Sequence, residues 1–238
     1  MNKIDFSTRT DAIEIMDDFD LKGNELEDAL IKIAKINQLL GGNRLTLQGL
    51  RLLLNQADKK QIITIVDVGC GNGDMLRYIA DFGLKKNYKF ELIGIDANAF
   101  TIECAEKLSK NYSNISYKCL DIFSEKFNEL KYDIVLSTLT LHHFINTEIV
   151  NLMSQFNQNS KFGMVINDLH RSKIAYQLFQ LISFVFKLNK MSKEDGLISI
   201  LRGFKKNEIQ NFSTELGFKK YILQWKWAFR YQWIVFKN

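Results

Sequence analysis

The stretch whose reading decides the fold is Ile65-Val66-Asp67-Val68-Gly69-Cys70-Gly71-Asn72-Gly73-Asp74. It reads as a buried strand that runs into a glycine-rich turn and then a helix over 75–82. Glycines at such a turn let the backbone reverse sharply and let a ligand approach without a Cβ in the way. In the dinucleotide-binding fingerprint the third glycine comes three residues after the second, but here position 74 is Asp and the extra glycine is at 73. An acid there would meet a pyrophosphate with the wrong charge, so the loop favours a ligand that lacks phosphates and carries a cationic group.

Outward from this motif, short apolar runs alternate with amphipathic helices, the pattern of a parallel sheet covered on both faces. Strands are expected at 62–68, 90–95, 115–119, 132–136 and 162–168, giving an α/β doubly wound sheet. The residues before Gln56 read as helices, with Leu26, Leu30, Ile33, Ile36, Leu39 and Leu40 at helical spacing and Gly41-Gly42 as a left-handed stop. They precede every strand and are expected to form an appendage, a cap over 1–56 on a main domain over 57–238 with a helical insertion at about 171–205. Helices are further expected at 174–188 and 208–216. The tail, 221–237, alternates like two strands with Leu223, Trp225, Trp227 and Phe229 on one face.

Three acids fall at the ends of three successive strands: Asp67, Asp96 in Gly94-Ile95-Asp96-Ala97-Asn98, and Asp121 in Leu120-Asp121-Ile122. Asp67 is placed to attract an ammonium group, Asp96 to take two ribose hydroxyls, and Asp121 to meet an amino group beside an apolar contact for a ring. Each also has a plain structural reading: Asp67 holding loop amides, Asp96 capping the next helix, Asp121 serving a turn.

Over nearly all of 61–238 the sequence resembles the class I S-adenosylmethionine-dependent methyltransferases. A fourth motif, Tyr132-Asp133-Ile134-Val135-Leu136-Ser137 running on to Leu141-His142-His143-Phe144, looks like the quinone and small-molecule branch. The resemblance implies a Rossmann-like sheet of order 3-2-1-4-5-7-6 with the last strand antiparallel. It also implies S-adenosylmethionine as cofactor, bound by Asp67, Gly69, Cys70, Gly71, Gly73, Asp96, Ala97, Asp121, Ile122 and Ser137.

At 238 residues and 46% hydrophobic, the chain can bury one continuous core. The net charge of +5 is scattered, with no arginine-rich stripe, so nucleic acid is not implied, while an anionic ligand or membrane surface is compatible. Cys70, Cys104 and Cys119 lack metal or disulfide spacing and read as reduced thiols. Met1 to Asp20 is broken by charges and reads as no targeting segment, giving a cytoplasmic expectation.

Methyl transfer to a hydroxyl needs a base, because a phenol of pKa near 10 is protonated at neutral pH. The chain has only three histidines, His142, His143 and His170, and all follow strands on the ligand-binding rim. For the first two, packing and function stay open. For His170 function is preferred, because Asp168 two residues away is placed to orient it. A metal held by the three histidines and Asp168 is disfavoured by their spacing.

The aromatic segment 174–186 is too short and too interrupted to span a bilayer. It reads first as a core helix of the sheet. The competing reading is a lid over an apolar acceptor pocket, resting on membrane and flanked by Arg171, Lys173, Lys187 and Lys190. The segments Glu14–Phe19, Ile36–Gly42, Asp168–Arg171 and Ser199–Phe204 look similar to a bacterial group of small-molecule methyltransferases. That implies phenolic, polyketide or quinone-like acceptors, with O-methylation expected first and C-methylation of a quinone-like or lipid acceptor second.

Overall fold

The computed structural model describes residues 4–237; Met1–Lys3 and Asn238, the ends of the two expected domains, lie outside the described residues. In chain order the elements are α1 (Asn24–Leu39), α2 (Gly42–Leu54), β1 (Ile62–Val68), α3 (Asp74–Lys86), β2 (Lys89–Asp96), α4 (Ala99–Ser109), β3 (Ile115–Cys119) and α5 (Glu125–Asn128). Then follow β4 (Tyr132–Thr138), α6 (Asn146–Asn159), β5 (Ser160–Leu169), α7 (Lys173–Val185), α8 (Lys190–Arg202), α9 (Lys206–Glu215), β6 (Tyr221–Lys226) and β7 (Arg230–Phe236).

The strands form one seven-stranded sheet of order β3-β2-β1-β4-β5-β7-β6. The first five are parallel, and β7 runs antiparallel to both β5 and β6. Strand alternation divides the core into two halves. Val66, Val68, Val135, Met164 and Ile166 face α6 and α9 through Leu152, Phe156, Ile209 and Phe212. Ile63, Ile65, Ile134, Leu136 and Val165 face the other way, onto Leu50, Leu53 and Leu54 of α2 and Leu76 and Ile79 of α3.

The second half of the core changes the expected role of the N-terminal helices. Leu50 and Leu53 are fully buried, so α2 belongs to the layer covering the sheet and is no appendage at its edge. Residues 9–23 are not α-helical either; they form an extended strap with one 3-10 turn at Ile15–Asp17. At the other end β6 stops at Lys226, and Trp227 and Phe229 lie outside both strands of the hairpin, so the apolar alternation does not run through to Phe229.

The aromatic segment is the largest departure. α7 buries only Ala175 and Ser183 and packs on α8, so it is not a core helix of the sheet. Phe184 is 81% exposed. The cover over the strand ends is built instead from the strap, α1 and α8. Helix α8 falls within the helical insertion expected at about 171–205, although its weak amphipathic period gave it no bounds of its own.

Candidate active site

The C-terminal ends of β1, β2, β4 and β5 form the rim where ligands bind in open α/β sheets. After β1 the glycine loop has positive φ at Gly69, Gly71 and Gly73. A Cβ at Gly69 would stand 2.3 Å from Thr140 Oγ1, and one at Gly73 would stand 2.0 Å from the Tyr117 hydroxyl. Both positions therefore demand glycine on conformation and on space. A Cβ at Gly71 would instead meet Leu30 of α1 at 3.9 Å, an ordinary contact. Gly69 and Cys70 donate their amides to Ile95 O, and the Gly71 amide donates to Asp96 Oδ2 at 3.2 Å, so the loop is pinned to the tip of β2.

Of the acids around this loop, Asp67 is the one short of partners among the described residues. Asp67 is 2% exposed and its Oδ1 has no hydrogen bond among the described residues; burial, with Asp74 and Asp96 adding, pushes its carboxyl well above the usual range. Burial also raises Asp96, against the amides of Asn98 and Gly71. Asp96 does not cap α4, because Asn98 does so, accepting from Thr101 N at 2.8 Å. Ser137, wholly buried at the end of β4, likewise has an unpaired Oγ. A buried strand tip with an orphaned carboxylate oxygen beside further acids fits a cationic ligand group.

Asp121 is exposed and accepts the Phe123 amide at 2.9 Å, the turn arrangement, while neighbouring Ile122 is buried. Ala97 is half-buried beside Asp96. Asp74 is engaged by the cover: its carboxylate accepts from Asn43 at 2.8 Å and Gln38 at 3.3 Å, tying the α1–α2 turn to the start of α3. Asn72 and Asn98 bond Leu30 O and Leu21 O, which holds the cover directly over this rim.

The second half of the site lies after β4. His142 is 2% exposed, and its Nδ1 lies 2.7 Å from Asp168 Oδ1. Asp168 therefore orients His142 and not His170, as was expected: it is buried under the 3-10 turn Leu141–His143 and also accepts the His142 amide. Burial raises the Asp168 carboxyl, but His142 outweighs it and holds the group below its usual range. His170 sits apart, its Nδ1 accepting from Trp225 Nε1 at 3.1 Å; burial, with Lys205 and Arg171, lowers its pKa.

His143 stacks on His142 with centroids 4.3 Å apart, and its Nδ1 is 2.6 Å from Asp17 Oδ1. Burial raises Asp17, yet the bonds and charges of His143 and Arg202 bring it well below its usual range. Arg202 reaches Asp17 Oδ2 at 2.6 Å and bonds the carbonyls of His142 and His143. Arg9 bonds His142 O and Phe144 O. Arg171, one of the cations flanking the aromatic segment, is fully buried and paired with Glu208 at 2.6 Å.

Between the two histidines stands Glu14, a residue the sequence did not single out as a site. It is 4% exposed and accepts Ser199 Oγ at 2.8 Å, and burial pushes its carboxyl up to about 7. Among the described residues its Oε1 has no hydrogen bond and lies 3.8 Å from His142 Nε2, which has none either. Glu14, His142 and His143 bring ligand atoms within 4.8 Å of one another. Two contacts argue against a metal there: His143 Nδ1 is engaged by Asp17, and the Arg202 guanidinium stands 3.7 Å from Glu14. The only sequence signal for Glu14 was the resemblance of its segment, and the segments around Glu14, Asp168 and Ser199 do converge on this cluster. A surface depression lined by Ile62, Lys89, Glu91 and Asn114 lies at the opposite ends of the strands and takes no part.

Comparison with known proteins places this geometry. Residues 59–219 match the family model described as a methyltransferase domain. A protein of Invertebrate iridescent virus 6, a methyltransferase by name, is 36% identical over 97 residues, 40% of this chain and 34% of that protein. The chain thus spans about a third of that relative's length. The carboxy-S-adenosyl-L-methionine synthase of Campylobacter jejuni is 24% identical over 187 residues, 74% of this chain and 77% of that one. Among solved structures, the plantazolicin methyltransferase BpumL with SAH superposes with a TM-score of 0.61 at 17% identity, covering 90% of this chain and 98% of that one. The magnesium protoporphyrin IX methyltransferase of Synechocystis PCC 6803 with bound SAM gives 0.56 at 13%, covering 86% and 84%. The chain belongs to the methyltransferase domain family, and its sheet has the Rossmann-like fold of these SAM- and SAH-bound structures.

Proposed function

We propose that this enzyme transfers a methyl group from S-adenosylmethionine to the hydroxyl of a small hydrophobic acceptor of phenolic or polyketide type. When bound, the cofactor supplies a methyl group already activated on a sulfonium. The protein's work is then to hold both partners in line, exclude water and take a proton.

Asp67, with its orphaned Oδ1, is assigned to the cofactor's ammonium, and Asp96 to its ribose hydroxyls. Ile122 offers an apolar contact for the adenine and Asp121 a carboxylate for its amino group, while Gly69, Cys70, Gly71 and Gly73 keep the loop clear. Ala97 and Ser137 complete the lining. The strap and α1 close over these residues and exclude water.

The observation that carries the acceptor chemistry is the unpaired His142 Nε2 facing the unpaired Glu14 Oε1 at 3.8 Å, both inside the cover. In that transfer the acceptor's hydroxyl proton would pass to His142 Nε2. Asp168 behind the ring and Glu14 before it stabilise the imidazolium. His143 and Arg202 hold Glu14 and Asp17 in place, and His170 lies outside this relay.

The test is incubation with methyl-labelled S-adenosylmethionine and a panel of phenolic and quinone-like acceptors, followed by mass spectrometry and NMR of the products. A labelled O-methyl ether supports this reading. A labelled ring carbon moves the chemistry to carbon, and a labelled product derived from the cofactor alone removes methyl transfer altogether.

A further inference from the structure

Helix α7 presents an apolar stripe to solvent. Ile174, Leu178, Leu181 and Val185 are 59%, 39%, 60% and 65% exposed, and at 3.6 residues per turn they lie within an arc of about 60°. Phe184, more exposed still, flanks the stripe. Soluble proteins scatter such residues singly, and a contiguous row marks a contact surface. The helix is a single element of 13 residues packed on α8, so the stripe lies on a formed amphipathic face.

The charge around the stripe identifies the occupant. From Leu169 to Lys193 the sequence contains no acid, while Lys173, Lys187, Lys190 and Lys193 are all exposed. Lys173 and Lys187, at the two ends of the helix, have no acidic partner within 4.0 Å among the described residues; Lys190 has only the exposed Glu194, at 3.9 Å. A second copy docking by the same face would set these lysines against each other, because a two-fold contact pairs a patch with itself. An anionic bilayer surface instead offers apolar depth to the stripe and negative charge to its rim. The aromatic segment therefore has a use that neither a core helix nor a pocket lining provides.

We propose that α7 is a peripheral anchor that lies in the plane of an anionic membrane surface, with Leu181, Val185 and Phe184 entering the headgroup layer and Lys173 and Lys187 resting on lipid phosphates. This goes beyond the proposed methyl transfer and does not depend on it.

The test is co-sedimentation of the purified chain with phosphatidylcholine vesicles and with phosphatidylcholine vesicles containing phosphatidylglycerol. Binding is expected only to the second, falling several-fold when salt is raised enough to shorten the screening length below about 5 Å. Phe184→Glu and the pair Lys173→Glu with Lys187→Glu should each lower the bound fraction about tenfold or more without changing the melting temperature, since these side chains are exposed. Equal sedimentation of wild type and variants overturns the proposal, as does absence of binding to both vesicles. A wild-type dimer that Phe184→Glu dissociates, with no vesicle binding, assigns the stripe to a second copy and overturns it too. Turnover of a water-soluble phenol by Phe184→Glu separates this outcome from failure of the methyl-transfer reading.

Discussion

Asp168 Oδ1 stands 2.7 Å from His142 Nδ1, deep under the rim, and this bond leaves His142 Nε2 facing Glu14 with no hydrogen-bond partner among the described residues. The pairing sets the tautomer and the orientation of one histidine out of three. His142→Ala should lower turnover about 10²- to 10⁴-fold while cofactor affinity holds, the usual range for losing a general base. Asp168→Asn should give an intermediate loss, and His170→Ala should stay within a few-fold of wild type. Steady-state rates with calorimetric cofactor binding check all three; a large loss in His170→Ala alone would shift the base to that residue.

Asp67 and Asp96 are predicted to separate affinity from stability. Asp96→Ala should weaken S-adenosylmethionine binding by about 1.5 to 3 kcal/mol, the cost of hydrogen bonds to a charged group. Asp67→Asn should weaken it too, yet raise the melting temperature of the ligand-free protein, because a buried carboxylate with a raised pKa destabilises the fold when ionised. Unchanged cofactor affinity in folded Asp96→Ala protein removes that residue from the site.

Glu14 makes a pH prediction of definite sign. Its folded-state pKa of about 7 lies above the ordinary 4.5, so the fold favours the protonated form. Its contribution to stability is complete below about pH 4.5 and is lost as pH rises through 7. Glu14→Gln should therefore gain stability relative to wild type between pH 5 and pH 8, by at most about 3 kcal/mol at 1.36 kcal/mol per pKa unit. Melting curves of the two proteins across that window test it, and parallel pH dependence would contradict it.

The cover should divide at the strap. Removing residues before Gly23 takes away Glu14, Asp17 and Arg9 but leaves α2 in the core, so a folded sheet that binds cofactor without turning over is expected. Cutting before Gln61 should instead unfold the protein, because Leu50, Leu53 and Leu54 fill one face of the sheet and losing buried leucines costs about 2 to 5 kcal/mol each. Near-ultraviolet circular dichroism and thermal melting distinguish the two truncations.

What was legible in the sequence was local. The glycine loop, the strand-tip acids and the buried strands are each written in a handful of adjacent residues, and the tip of β1 carries Asp67 where the pattern placed it. The cluster of Glu14, Asp17, His142 and His143 was not legible, because it joins residues far apart: Asp17 and His143 are 126 positions from one another. Proximity misled at Asp168, two residues from His170 but bonded to His142, since the chain leaves the strand at Leu169 and only the fold decides which ring lies beneath. Apolar composition also misled at α7, because a row of Ile, Leu and Val fixes a face without saying what that face meets.

The most direct measurement is a single-turnover assay of His142→Ala and wild type, using methyl-labelled S-adenosylmethionine and one phenolic acceptor that wild type methylates, read across pH. The account predicts that the variant's O-methylation is slower by about 10²-fold or more at neutral pH and recovers as pH approaches the phenol's own pKa near 10, where no base is needed. A variant that binds cofactor and methylates at the wild-type rate at neutral pH would contradict it.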